Sequence, residues 1–67
     1  MLNITVNGEK KQLADGATVE DLLQQMDVRR DYLAVERNKS IVPRTEYKET
    51  PLANGDVIEI VSLVGGG

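Results

Sequence analysis

The sequence predicts an α+β fold in which one helix packs across one face of a mixed sheet of four to five strands. Three observations carry this expectation. Apolar residues alternate with polar ones in Leu2-Asn3-Ile4-Thr5-Val6, the period of a half-buried strand. Val19, Leu22, Leu23 and Met26 stand at i, i+3, i+4 and i+7, a single apolar stripe on a helix. The chain of 67 residues has neither Cys nor His, so disulfides and the usual zinc sites are excluded and a compact apolar core must hold it.

The elements follow in order. Asn7-Gly8 closes a hairpin after the first strand, because both residues tolerate positive φ. Glu9-Lys10-Lys11-Gln12 leads to Leu13 and suits a return strand at a solvent edge, ended by Asp15-Gly16. Thr18 is the expected N-cap of the helix, with Asp21 at N3 as a weaker form of the capping box. Glu20 and Asp21 in its first turn suit the positive end of the helix dipole, and Arg29 and Arg30 fall near its far end. Leu33-Ala34-Val35-Glu36-Arg37 reads as a third strand, with Leu33 and Val35 inward, followed by a turn at Asn38-Lys39-Ser40. Ile41-Val42 is a short edge piece ended by Pro43, which cannot donate to a ladder. Arg44 to Ala53 reads as polar and irregular, anchored by Tyr47 and Leu52. Asn54-Gly55-Asp56 then turns the chain into a last apolar strand from Val57 to Val64.

Composition excludes several classes of function. Without His there is no side chain that ordinarily titrates near neutrality, and without Cys there is no thiolate nucleophile or persulfide carrier. Ser40 and Ser62 lack a histidine to activate them. The 11 carboxylates are scattered as on a solvated surface, and no glycine-rich loop precedes a helix to cradle phosphate. A net charge of −3 argues against nucleic acid, and no stretch is long or apolar enough for a signal peptide or a membrane span. The expectation is a cytoplasmic domain that is not itself an enzyme.

The end of the chain is its most informative part. Ile58 and Ile60 occupy one face of the last strand, and Val57, Val61 and Leu63 the other. A single helix covers only one face. Either the strand is central with its second face half covered by loops, or that face is an exposed apolar patch suited to docking. Beyond it, Gly65-Gly66-Gly67 forms a tail without side chains that can enter a narrow channel. Three extended residues reach roughly 10 Å. Either this is a frayed end, or it is a handle for chemistry at the terminal carboxylate.

Taken together, Ala34-Val35-Glu36, the Asn38 to Arg44 segment, Asn54 to Val61, Thr18 to Leu23 and the ending Val64-Gly65-Gly66-Gly67 resemble the ThiS family of sulfur carrier proteins of thiamin biosynthesis. The order of elements resembles the ubiquitin-like β-grasp fold. The resemblance covers essentially the whole chain, with residues 1–64 as one domain and 65–67 as a flexible tail. It implies that a ThiF-type activating enzyme, using ATP and Mg, adenylates Gly67, and that a sulfur donor system converts the adenylate to a thiocarboxylate. A ThiG-type thiazole synthase then takes the sulfur, and this chain binds no cofactor itself. Gly65 and Gly66 would supply slimness, and Val57, Val61, Leu63 and Arg44 a docking surface. For Arg44 a solvated residue after a strand-ending Pro43 is an equal reading. Three rival functions fit parts of the same pattern. The small subunit of molybdopterin synthase shares fold and tail but tends to be longer. A ubiquitin-related modifier would be joined to its targets through Gly67, and a plain interaction module would leave the tail inert.

Overall fold

The computed structural model describes residues 1–28 and 33–62. Strands β1 (Leu2–Val6) and β2 (Glu9–Leu13), helix α1 (Val19–Met26) and strands β3 (Leu33–Arg37), β4 (Ser40–Val42) and β5 (Val57–Ser62) follow in that order. The five-stranded sheet has the order β2-β1-β5-β3-β4. β1 and β5 run parallel, and the other neighbours are antiparallel. The last strand therefore sits in the middle, and the short piece ended by Pro43 lies at an edge, as expected.

Two-residue turns set the hairpins. Asn7 and Gly8 both take positive φ, 50° and 83°, which matches the twist of β1 and β2. Asn38 and Lys39 do the same between β3 and β4, at 51° and 73°. The helix starts with a complete capping box. The Asp21 N–H donates to Thr18 Oγ1 at 3.2 Å, and the Thr18 N–H donates to Asp21 Oδ2 at 2.9 Å. Its C-terminus comes at Met26, because Asp27 turns left-handed at φ 56° and its N–H donates to the Gln24 carbonyl. The last turn holds no basic residue, and the expected Arg29 and Arg30 lie outside the described residues.

Val19, Leu22 and Leu23 face Ile4, Val6, Val35 and Ile58 across a core closed by Leu13, Ala17, Val42, Tyr47 and Leu52. Met26, Leu33 and Ile60 pack against its margin. The segment read as irregular is in part a 3₁₀ helix, Arg44–Glu49. Its one apolar anchor is Tyr47, buried as expected, and one anchor leaves no periodicity to read.

Candidate functional site along the last strand

The strand that leads to the glycine tail is fixed at its root by polar side chains. Asp56, buried just ahead of β5, accepts hydrogen bonds at Oδ2 from Arg37 Nε and the Ala53 N–H, both at 2.8 Å. Its Oδ1 accepts from Asn38 Nδ2 at 3.0 Å. Burial pushes the Asp56 carboxyl upward, but the bonds from Ala53, Asn38 and Arg37 and the guanidinium charge outweigh it, and its pKa lies below the ordinary 3.8. Asn38 also brackets Val57: its side-chain oxygen accepts the Val57 N–H at 2.9 Å, while its own N–H donates to the Val57 carbonyl at 2.7 Å. On the other side, Asn54 Oδ1 accepts the Asn3 N–H at 2.7 Å, and the Gly55 N–H donates to the Asn3 carbonyl at 2.7 Å.

Further along, β5 loses one neighbour. Its register with β1 covers Thr5↔Val57 and Val6↔Ile58 and then stops, because β1 turns at Asn7. The Asn7 side chain takes over, accepting the Ile60 N–H at Oδ1 (2.8 Å). Pairing with β3 continues to Ala34↔Val61 and Leu33↔Ser62. Among the described residues, the strand is therefore gripped from both sides at its start and from one side at Val61 and Ser62.

The two faces of β5 differ sharply. Ile58 is wholly buried against the helix, whereas Val57 and Val61 are 48% and 49% exposed on the opposite face. Among the described residues, then, the central position did not bring cover to the second face, and the exposed-patch expectation holds for both valines. Ile41 on β4, 62% exposed, shares that face. Leu63 and the tail, Gly65, Gly66 and Gly67, lie outside the described residues. Pro43 and Arg44 are exposed at the start of the 3₁₀ helix. Through β3, Val42 is level with Ile60 (Val35 pairs with both), so Pro43 and Arg44 follow at the end of the sheet where β5 exits. Two strand spacings, roughly 10 Å, separate β4 from β5.

Sequence reasoning missed the latch of Arg37, Asn38 and Asp56. Its one legible signal was an Asp placed between a turn and an apolar strand, with Asn at the facing hairpin. Among the described residues no group of three or more His, Cys, Asp or Glu side chains gathers to hold a metal, and no helix is long and apolar enough to cross a membrane.

Comparison with known proteins agrees with this architecture. The ThiS family model matches residues 4–67. The chain is 42% identical over 65 residues to the sulfur carrier protein ThiS of Bacillus subtilis, covering 96% of this chain and 98% of that protein. It is 39% identical over 66 residues to a thiazole synthase of Paramagnetospirillum magneticum, covering 98% of this chain but only 20% of that larger protein. The crystal structure of a thiamine biosynthesis protein (ThiS) from Geobacter metallireducens superposes with a TM-score of 0.85 at 32% identity, covering 98% of this chain and 100% of that one. With a ubiquitin-like β-grasp sheet, a carrier relative covered over 98% of its length and a family match that runs through the last glycine, the chain belongs to the ThiS family.

Proposed function

We propose that this chain is a sulfur carrier of thiamin biosynthesis that works through the carboxylate of Gly67. The observation that carries the proposal is the family match over residues 4–67, which includes the three terminal glycines. At neutral pH an ionised α-carboxylate is a poor electrophile. In the proposed sequence a Gly67 carboxylate oxygen attacks the α-phosphorus of ATP, held with Mg by a ThiF-type activating enzyme, and pyrophosphate leaves. Hydrosulfide released by the sulfur donor system then attacks the acyl carbon and AMP leaves with one former carboxylate oxygen, so the terminus becomes a thiocarboxylate. A ThiG-type thiazole synthase receives that sulfur for the thiazole ring. A thiazole synthase with a segment similar to this chain in its own sequence supports this acceptor.

In this reading the chain is a protein substrate rather than an enzyme, and ATP and metal belong to the partner. Residues 65–67 act as the tail of the domain formed by residues 1–64. Val57 and Val61 contribute to docking from the exposed face, and Arg44 from the end of the sheet where β5 exits; Leu63, outside the described residues, is grouped with them on the sequence alone. A cytoplasmic location goes with these partners.

Intact mass after incubation with ATP, a ThiF-type enzyme and a sulfur source tests the proposal. The expected result is the exchange of one oxygen for sulfur, localised to Gly67 and absent without ATP. An unmodified mass, with the enzyme shown competent on a known carrier, overturns it. One residue added after Gly67 should abolish loading, and normal loading of that variant would defeat the role of the terminal glycine.

A further inference from the structure

The exposed face of β5, β3 and β4 carries a charge arrangement that neither the fold nor the tail chemistry requires. Glu36 and Glu59 are direct partners across the antiparallel β3–β5 pair, and Ile41 of β4 is level with them on the far side of Glu36. Facing residues in such a pair hold their Cβ atoms roughly 4.5–5.5 Å apart, and like charges there are destabilising. No described Lys or Arg forms an ion pair with either one. Apolar side chains surround them on the same face: Val57 and Val61 two residues either side of Glu59, Ala34 opposite Val61, and Ile41.

A partner that buries the valines and Ile41 also removes water from the carboxylates at their centre. Two desolvated like charges oppose binding unless a cation reaches them. Resting on the carrier reading, we infer that this face docks the activating enzyme through an apolar surface bearing one arginine or lysine, which seats between Glu36 and Glu59. The face lies on the strand that leads to the tail, so docking here also aims the tail.

The test is calorimetric binding of the full chain to the ThiF-type enzyme at low and high salt, using native chain, Glu36→Gln/Glu59→Gln and Glu59→Lys. Thermal melts accompany each variant. The double neutral variant should melt no lower than native, since a repulsion has gone. Its affinity should nevertheless fall about tenfold, the worth of one charge-assisted contact, and its binding should lose much of its salt dependence. Glu59→Lys should bind more weakly still. Unchanged affinity and salt dependence in the folded variants, with ATP-dependent loading of the native chain intact, overturns this inference and leaves the carrier reading standing. Native chain that neither binds nor loads overturns both.

Discussion

The two faces of β5 carry the same kinds of residue and do opposite things. Ile58 is sealed under the helix, while Val57 and Val61, one and three positions away, stand half exposed. Residue type does not explain the difference. Topology does, since one helix of 8 residues covers one side of the sheet and no second layer follows among the described residues. An apolar residue on the inner face contributes to stability, whereas one on the outer face is available to a partner.

The harshest test of that contrast is Ile58→Ala, which removes a fully buried side chain from a small core and should cost about 2–5 kcal/mol in urea unfolding. A loss below about 1 kcal/mol would mean the core relaxes around the site and the inner face is less fixed than its burial implies. Asp56→Asn comes next. It leaves the Arg37 guanidinium without its charge partner, at about 1–3 kcal/mol. The native chain should also lose stability in acid in a way this variant does not. Because the folded pKa of Asp56 lies below its unfolded value, the unfolded chain takes the proton first. The contribution is complete above the unfolded pKa and falls away as pH drops through the folded one, from about pH 5 downward. Identical acid profiles for native and variant would assign the acid sensitivity to other carboxylates. Smallest is Val61→Asp, which should stay within about 0.5 kcal/mol of native stability while weakening partner binding. Global unfolding of this variant would place Val61 in the core and collapse the distinction between the faces.

Much of the inner face was legible because its signals are local and periodic. The Val19-Leu22-Leu23-Met26 stripe, the Thr18–Asp21 capping box and the Asn7-Gly8 turn each sit within one window of sequence, and each is present as read. The latch was not legible in the same way. Arg37 and Asn38 stand 19 and 18 residues from Asp56, and only the antiparallel pairing of β3 with β5 brings them together. The Glu36–Glu59 pair was hidden for the same reason, since its meaning depends on register rather than on either residue. The glycine tail lies outside the described residues, and its role stays with the proposal drawn from the family match.

The early end of β1 makes the last strand a cantilever. Its root is clamped between two neighbours and by the latch, and among the described residues its outer segment hangs from β3 alone once Asn7 has taken the Ile60 N–H. On the proposed reading, a pull on the terminus would load Val61 and Ser62 first, the part of the described strand paired with β3 and not with β1. Local opening there, with Ile58 still seated, would let the end yield without global unfolding. Amide hydrogen exchange should record this as protection that falls from Ile58 toward Ser62, and equal protection along the strand would mean the beam is as firmly held at its tip as at its base.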